Sequence, residues 1–249
     1  MRLVLDILRA IWVYSNLLVV TILLSTPVIL FSLMRIRTRY YGWAARGWAQ
    51  WMLLVSGVKL RIEGMEQAPA GQPRIFVSNH QSWFDVFALA ANIPGQYRFV
   101  AKKELARIPI FGQAWKAAGH ICVDRGDRES AVRSLEEAGK LIRSDGSAVV
   151  IFAEGTRSRD GRLQPFKKGA FMLALHTGVE LIPVGISGSR QVQAKGSWRI
   201  RPGTIRIRVG VPVPVHDYSF ETRDRLIERV RAEIERLMTP EPALKPAMN

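Results

Sequence analysis

The sequence has almost no cysteine and little histidine. Its single cysteine, Cys122, excludes an internal disulfide and is typical of a protein from a reducing compartment. Cys122 stands in the apolar run His120–Val123, where a small buried hydrophobic residue is expected rather than a nucleophile. The histidines His120, His176 and His216 show no metal-ligand spacing, so the sequence predicts no metal site.

Acidic residues are also scarce. Asp and Glu number 21 against 36 for Lys and Arg, which gives a formal net charge of +15. Such a charge favours acidic partners, such as anionic lipids, phosphorylated ligands or an acidic carrier protein. The sequence contains neither zinc-finger spacing nor an aromatic RNA-binding motif, so nucleic acid is not an expected partner.

Charge is missing altogether from one long stretch near the N terminus. Residues Ala10 to Met34 carry no charged side chain. As a helix they are about 37 Å long, enough to cross a hydrocarbon core of about 30 Å. Pro27 lies well inside this run, and we expect it to kink or break the helix.

A second helix with an aromatic-rich face is predicted next. Tryptophan and tyrosine beside arginine are typical of a membrane interface, although the same face could pack on a globular domain. We favour membrane contact, so residues 1–57 are predicted to form a two-helix membrane motif that spans the bilayer or dips into one leaflet. Residues of this face recur at three- and four-residue steps: Tyr40, Trp43, Ala44, Gly47, Trp48, Trp51, Leu54 and Val55.

Short apolar strands and amphipathic helices alternate from Val58 onward. This alternation predicts an α/β domain, a mixed sheet flanked by helices, over residues 58–238, followed by a flexible tail over 239–249. The continuous apolar run 148–152 predicts an interior strand covered on both faces. The other predicted strands are 58–63, 74–77, 97–101, 119–124, 181–187 and 204–209; the predicted helices are 86–90, 127–144, 169–177 and 221–238.

A histidine and an aspartate follow the strand 74–77. If His80 lies in the turn and Asp85 in the first helical turn, the carboxylate can bind one imidazole nitrogen and make the other a base. Ser82 and Asp85 also fit a capping box, which would make His80 an ordinary turn residue. The two interpretations are compatible, and Ser82 as an acyl-enzyme nucleophile is a weaker alternative.

A second polar stretch, Glu154-Gly155-Thr156-Arg157, follows the strand 148–152 directly. Glycine permits close backbone approach, Thr156 can donate a hydrogen bond, and Arg157 offers a bidentate fork to a phosphate. The stretch is therefore a candidate anion site. The alternative is an ordinary polar loop in which Glu154 and Arg157 pair with each other.

These segments together resemble the glycerolipid acyltransferases. The match runs from about Val58 to Ser189 with its motifs in order, and it departs at Ala153, where the family usually has proline. The first motif is the HX4D pattern of His80 and Asp85. The other matching segments are Lys102–Leu105 with Ile108-Pro109, Phe111-Gly112, Gly119 and Asp124-Arg125 (second motif), Glu154–Arg157 (third motif), Pro165–Ala170, and Ile182–Val184 (fourth motif).

The resemblance implies acyl transfer from an acyl thioester to the free hydroxyl of 1-acylglycerol 3-phosphate, giving phosphatidic acid. Acyl-CoA or acyl carrier protein would be the donor, and no cofactor is implied. The implied catalytic residues are His80 and Asp85. The implied substrate-binding residues are Lys102, Arg125, Gly155, Thr156 and Arg157 around the phosphate, with Glu154 orienting Arg157 or an acceptor hydroxyl.

The resemblance also implies a monotopic or single-span protein on the cytoplasmic face of the inner (plasma) membrane, in contact with membrane lipids. Three alternatives stay open at this point. The acceptor could be another lysolipid such as lyso-ornithine lipid, or the protein could be a thioesterase that releases the acyl group to water. The third is a non-catalytic lipid-binding protein, which the intact His80 and Asp85 pair disfavours.

Overall fold

The computed structural model describes residues 1–36, 39–124 and 126–239, in which two N-terminal helices precede an alternation of strands and helices. Short 3-10 helices cover Met65–Gln67 and Lys103–Arg107. The strands are β1 (Val58–Glu63), β2 (Arg74–Ser78), β3 (Tyr97–Lys102), β4 (Ile121–Val123), β5 (Ala148–Phe152), β6 (Leu181–Ser187) and β7 (Gly203–Val209). The helices are α1 (Arg2–Leu33), α2 (Tyr40–Val55), α3 (Phe84–Asn92), α4 (Phe111–Ala117), α5 (Arg128–Asp145), α6 (Gly169–Thr177), α7 (Ser189–Val192) and α8 (Arg223–Met238).

Within the described residues these strands form one seven-stranded sheet in the order β1-β7-β6-β2-β5-β3-β4. The strands from β6 to β4 run parallel, whereas β7 is antiparallel to β6 and parallel to β1. The prediction of a mixed sheet flanked by helices is therefore confirmed. The carboxyl ends of β2, β5 and β3 meet at one edge, and ligands of open α/β sheets bind at such edges.

Alternate residues of the central strands pack on opposite faces of the sheet. On β2, Ile75 and Val77 join a core with α5, α6 and α8, whereas Phe76 joins a core with α2 and α3. All three side chains are at most 2% exposed. This two-sided burial explains the continuous apolar runs of β2 and β5, and β5 is an interior strand as predicted.

The N-terminal helix α1 is continuous over 32 residues, and Pro27 lies inside it. The predicted break at Pro27 is therefore wrong. Proline removes one backbone donor from the helix, but Val28, the next residue, is buried against Ala44 of α2 and Ala114 of α4. Packing on two neighbouring helices holds α1 through this position.

Most of α1 presents apolar side chains outward. Leu8, Leu18 and Leu23 are 58%, 64% and 64% exposed. Among the described residues, α1 is the one helix long and apolar enough to cross a membrane, by length and composition. Its 32 residues make α1 about 48 Å long, which is more than the thickness of a hydrocarbon core, about 30 Å.

The aromatic face of α2 is divided between two environments. Trp48 packs against Phe87 of α3, with ring centroids 4.8 Å apart, and Met52 is fully buried. Trp43 is 62% exposed. Packing on the globular domain thus accounts for Trp48, while Trp43 stays available to a membrane. The division of the chain at residue 57 stays a prediction, since α2 belongs to the same core as the sheet.

The structure differs from the predicted elements at a few places. The short helices α4 and α7 were not predicted, and the strand predicted over 119–124 is confined to Ile121–Val123. Gly112 lies inside α4. A side chain there would come within 2.4 Å of the Ala106 carbonyl oxygen, so glycine serves close packing. The predicted tail lies outside the described residues beyond Thr239.

Candidate active site

Asn79 fixes the turn that follows β2. It is fully buried. Its side-chain amide donates one hydrogen bond and accepts another from a single backbone residue, as a neighbouring strand would. Its amide Nδ2 donates to the Ile186 carbonyl oxygen at 2.9 Å, and its Oδ1 accepts the Ile186 N–H at 2.7 Å. The chain after β2 is thereby tied to β6 immediately before His80. Sequence reasoning gave Asn79 no role, because its partner lies 107 residues further on.

His80 and Asp85 meet as the sequence predicts. Nδ1 of His80 lies 2.8 Å from Oδ2 of Asp85. The same oxygen accepts the backbone N–H groups of Gln81 at 2.6 Å and Ser82 at 2.8 Å. A carboxylate at Nδ1 sets the tautomer, so Nδ1 carries the proton and Nε2 is free to act as a base. The imidazole is 13% exposed, while Asp85 is fully buried.

The predicted capping box is present only in part. Ser82 Oγ accepts the Phe84 N–H at 3.2 Å rather than the Asp85 N–H, and Asp85 Oδ2 accepts the Ser82 N–H at 2.8 Å. The N-cap residue of α3 is Trp83 rather than Ser82. Ser82 is fully buried. A buried hydroxyl already bound to a backbone N–H is poorly placed to attack a substrate, so the structure favours His80 over Ser82 as the chemical group.

The loop after β5 packs directly on His80. The Phe152 ring stacks on the imidazole with centroids 3.9 Å apart. The Ser158 N–H donates to the His80 carbonyl oxygen at 2.7 Å. These contacts follow from the parallel pairing of β2 and β5, which places Ser78 opposite Phe152 and delivers both following loops to the same edge.

Glu154 holds backbone N–H groups. Its Oε1 accepts the His80 N–H at 2.6 Å, and its Oε2 accepts the Gln164 N–H at 2.9 Å. Burial raises the pKa of Glu154 to about 7. The two N–H donors lower this pKa, but the effect of burial is larger. No ion pair joins Glu154 to Arg157 among the described residues. Both oxygens of Glu154 thus hold backbone N–H groups, and its predicted role toward Arg157 or the acceptor stays a prediction.

Arg157 lies beside the histidine turn. Its guanidinium carbon is 5.1 Å from the ring centroid of Trp83. Burial lowers the pKa of Arg157, and the Asp85 carboxylate acts in the opposite direction. Gly155 has a φ of 67°, which an L side chain rarely adopts, so glycine is needed where the chain turns toward Thr156. Gly155, Thr156 and Arg157 form a partly exposed corner next to His80, whereas Glu154 is buried.

The other two predicted phosphate ligands have different outcomes. Lys102 ends β3, on the same sheet edge as His80, but its Nζ pairs with Glu104 at 2.9 Å. Its charge is thus partly compensated. Arg125 lies outside the described residues, so its predicted role stays a prediction.

An apolar cavity of about 650 Å³ lies between the N-terminal helices and the sheet domain. Trp83 and Arg157 form part of its wall, so the cavity meets the two loops that hold His80. The remaining wall is built mainly from α1, α2, α3 and the segment before α4: Val13, Leu17, Ile22, Trp48, Met52, Phe84, Phe87, Ile108, Pro109, Ile110 and Phe111.

The other histidines do not form a site. Half-buried His120 accepts the Phe99 N–H at Nδ1 and packs on Trp115 with the rings tilted by 38°, and desolvation lowers its pKa to about 3. It is therefore a neutral packing residue. Burial raises the pKa of the half-buried Cys122 thiol, which disfavours a nucleophilic thiolate. No cluster of three or more metal-ligating side chains occurs in the described part of the chain.

The arrangement brings together a base, a cation and an apolar cavity. Nε2 of an oriented imidazole can take a proton from a hydroxyl. Arg157 can bind an anionic group a short distance away. The cavity can accept a long hydrocarbon chain. This combination suits transfer of an acyl chain between a thioester and a hydroxyl on a phosphorylated acceptor.

Comparisons with known proteins agree with this chemistry. The chain matches the family described as Acyltransferase over residues 59–187. It is 34% identical over 214 residues to a 1-acyl-sn-glycerol-3-phosphate acyltransferase of Limnanthes douglasii, covering 86% of this chain and 73% of the relative. It is 33% identical over 175 residues to the alpha enzyme of that name from Homo sapiens, covering 70% and 62%. The crystal structure of the Thermotoga maritima 1-acyl-sn-glycerophosphate (LPA) acyltransferase superposes with a TM-score of 0.80 at 27% identity, covering 97% of this chain and 100% of the other.

Proposed function

The chain belongs to the acyltransferase family of glycerolipid synthesis, and we propose that it acylates the free hydroxyl of 1-acyl-sn-glycerol 3-phosphate to give phosphatidic acid. The observation that carries this proposal is the His80–Asp85 pair, joined at 2.8 Å, beside Arg157 and an apolar cavity of about 650 Å³. The relatives named for this reaction support the choice of acceptor.

His80 acts as the general base in the proposed mechanism. Its Nε2 takes the proton of the acceptor hydroxyl as the oxygen attacks the thioester carbonyl carbon. The tetrahedral intermediate then expels the thiolate as the C–S bond breaks, and the imidazolium returns its proton to that sulfur. Asp85 stabilises the imidazolium between these steps without itself taking the proton. The products are the new ester and a free thiol.

The Gly155-Thr156-Arg157 corner binds the acceptor phosphate. Arg157 supplies a guanidinium fork, Thr156 a hydroxyl, and the open backbone at Gly155 permits close approach. Lys102 and Arg125 supply further positive charge at the same sheet edge. Glu154 serves this site indirectly, through the His80 N–H that it accepts.

The apolar cavity holds an acyl chain. Its walls come largely from α1, α2 and α3, and Trp83 and Arg157 stand where it reaches the histidine turn. A chain lying in it would place its ester or thioester end near His80. Acyl-CoA and acyl carrier protein both present the acyl group as a thioester, and both are acidic, which suits a protein with a net charge of +15.

The protein is proposed to act on the cytoplasmic face of the inner (plasma) membrane. The outward apolar side chains of α1 support insertion, either across the bilayer or into one leaflet. Exposed Trp43 adds an interfacial anchor. On this arrangement the lysolipid acceptor reaches the cavity from the lipid phase, while the donor head group stays in water.

An acyl transfer assay on the purified protein tests the proposal. It offers 1-acylglycerol 3-phosphate, lyso-ornithine lipid or water as acceptor, with acyl-CoA and acyl carrier protein donors compared in separate reactions. Phosphatidic acid formed faster than any other product supports the proposed function. Free fatty acid released at the same rate with and without a lysolipid would show a thioesterase, and the absence of turnover with all donors would show a lipid-binding protein.

A further inference from the structure

Lys195 contacts the third motif from a distant part of the chain. It lies between α7 and β7, after the last matching motif. Its Nζ donates to Thr156 Oγ1 at 2.9 Å and to the Arg157 carbonyl oxygen at 2.7 Å. Two of the three ammonium donors are thus used on two consecutive residues of the anion-binding corner.

A tight turn presents Lys195 to that corner. The Ser197 N–H donates to the Ala194 carbonyl oxygen at 3.0 Å, which closes a turn around Lys195 and Gly196. Gly196 has a φ of 82°, the conformation that a type II turn requires at its third residue. The turn geometry therefore depends on glycine at 196, and the lysine at 195 stands at its corner.

The turn is also anchored to the N-terminal helix. Gln193, only 7% exposed, donates from Nε2 to Tyr14 Oη at 3.0 Å and to the Ser197 carbonyl oxygen at 3.2 Å. Tyr14 Oη in turn donates to the Trp198 carbonyl oxygen at 3.2 Å. The segment from 193 to 198 is therefore fixed at one end to α1 and, through Lys195, to the anion-binding corner at the other.

The positive charge of Lys195 is not neutralised locally. Among the described residues, no carboxylate lies within ion-pair distance of its Nζ. By contrast, Lys102 pairs with Glu104, and Lys103 with Asp124. Lys195 thus brings an uncompensated cation, together with two hydrogen bonds, to the residues proposed to hold a phosphate.

We propose that Lys195 is a positioning residue for the acceptor phosphate. It fixes the Thr156 hydroxyl and the Arg157 backbone so that the guanidinium is held in place for the anion, and it adds positive charge at the same corner. This inference rests on the proposed function, because it takes the phosphate of the lysolipid as the ligand of Arg157.

The experiment compares the full-length wild type with Lys195→Met, Lys195→Arg and a matched control, Lys140→Met. Lys140 is an exposed lysine on α5, so its replacement removes the same charge away from the corner. We expect Lys195→Met to raise the acceptor KM about tenfold, with kcat and the donor KM within about threefold of the wild type. Lys195→Arg, which keeps the charge and a donor, should recover part of the loss, and Lys140→Met should behave like the wild type.

A second pair of variants keeps the inference testable if Lys195→Met does not fold. Thr156→Val removes the hydroxyl partner, and Lys195→Gln keeps a donor without the charge. The inference is overturned if the acceptor KM of the folded Lys195 variants equals that of Lys140→Met, or if kcat and both KM values worsen together. A wild type that does not acylate 1-acylglycerol 3-phosphate overturns the proposed function instead, so the two failures are distinguishable.

Discussion

Glu154 accepts the backbone N–H of His80 at 2.6 Å, across 74 residues of sequence. The histidine is therefore held at two points: Asp85 holds its ring and Glu154 holds its backbone. Because both carboxylates are buried, neither contact has to compete strongly with water. The glutamate of the third motif holds the histidine proposed as the base, so the first and third motifs meet at one site.

The raised pKa of Glu154 predicts that the difference in unfolding free energy between the wild type and Glu154→Gln depends on pH. Its pKa is about 7 in the folded protein, against an ordinary value of 4.5, so folding favours the protonated form. The stability it contributes is full below the ordinary pKa and is lost as the pH rises through about 7. Relative to Glu154→Gln, the wild type should lose on the order of 1–3 kcal/mol between about pH 5 and pH 8. Thermal unfolding in detergent across this range measures the difference.

The matching kinetic measurement uses the same variant. Glu154→Gln places an amide donor near one of the two backbone N–H groups, so the His80 loop should shift and kcat should fall more than the acceptor KM rises. Identical pH dependence of unfolding in the two proteins would contradict the assigned pKa. A selective rise of the acceptor KM would return Glu154 to the role of a substrate ligand.

Replacement of His80 or Asp85 tests the general base. His80→Ala should lower kcat by at least about 100-fold, because it removes the imidazole proposed to take the hydroxyl proton. Asp85→Asn should be impaired to a similar degree, since the imidazole loses the anion that sets its tautomer. The measurement is transfer of labelled acyl groups by variants that bind vesicles as the wild type does.

Ser82→Ala is the control for this series. It should retain most of the activity and lose about 1 kcal/mol of stability, which is the ordinary cost of a lost hydrogen bond, here the one from the Phe84 N–H. A Ser82→Ala variant without activity, together with substantial turnover by His80→Ala, would transfer the chemical role to the serine.

Local patterns predicted the parts of the site that depend on neighbours in sequence. His80 and Asp85 are five residues apart, so a turn followed by a helix was enough to bring them together. The contacts from Ile186 to Asn79 and from Lys195 to Thr156 join residues 107 and 39 positions apart. Only the strand order determines such contacts, and neither periodicity nor residue type reveals it.

In the fold, too, local sequence patterns predicted some elements and not others. The apolar runs of β2, β5 and β6 identified these strands, because buried parallel strands require such runs. Helix α4 was missed because Pro109 and Gly112 are poor helix formers. The chain enters α4 through Ile110 at a φ of 63°, where the Phe111 N–H donates to the Pro109 carbonyl oxygen at 2.7 Å. A branched residue in that conformation is not predictable from propensity.

The exposed face of α1 should determine membrane binding. Removal of residues 1–57 is a poor test, because it would uncover the core that α2 covers. We instead predict that replacement of Leu8, Leu23 and Leu30 by glutamine lowers the fraction bound to uncharged vesicles at high salt. These side chains are 58%, 64% and 52% exposed, and salt weakens surface attraction but not apolar insertion. Sedimentation with vesicles measures the bound fraction.

The control for membrane binding is Val211→Gln. Val211 is 66% exposed in the loop after β7, so its replacement changes exposed apolar area outside α1. It should leave the bound fraction unchanged. Equal binding by the triple α1 variant and the wild type would indicate an anchor elsewhere on the basic surface.

Trp83 should affect the KM for the acceptor, because its ring contacts the guanidinium of Arg157. Its ring lies 5.1 Å from the guanidinium carbon, and a cation over an indole face gains about 0.5–2 kcal/mol. We predict that Trp83→Leu raises the acceptor KM by about three- to tenfold, and that Trp83→Phe has a smaller effect because an aromatic face is kept. Steady-state kinetics with 1-acylglycerol 3-phosphate measures both, and Trp51→Leu, with similar exposure on α2, controls for the loss of an indole.

Arg157 should discriminate between acceptors by their charge. A phosphate monoester carries close to two negative charges near neutral pH, whereas the zwitterionic lyso-ornithine lipid gains less from a guanidinium. Arg157→Ala should therefore raise the KM for 1-acylglycerol 3-phosphate at least about tenfold and leave the donor KM nearly unchanged, because a charge-assisted contact is worth about 1.5–3 kcal/mol. The KM for lyso-ornithine lipid, where it is measurable, should change much less.

The control for Arg157 is Arg159→Ala, which removes the same charge from an exposed side chain two residues further on. It should leave the acceptor KM within about twofold, since exposed charges are largely screened at physiological salt. If Arg157→Ala weakens only the donor, the guanidinium contacts the thioester carrier. If the wild type acylates lyso-ornithine lipid faster than 1-acylglycerol 3-phosphate under matched conditions, the anion-binding corner does not select the acceptor. A selective loss with Arg157→Ala but not Arg159→Ala would place the phosphate on the loop that Glu154 joins to His80.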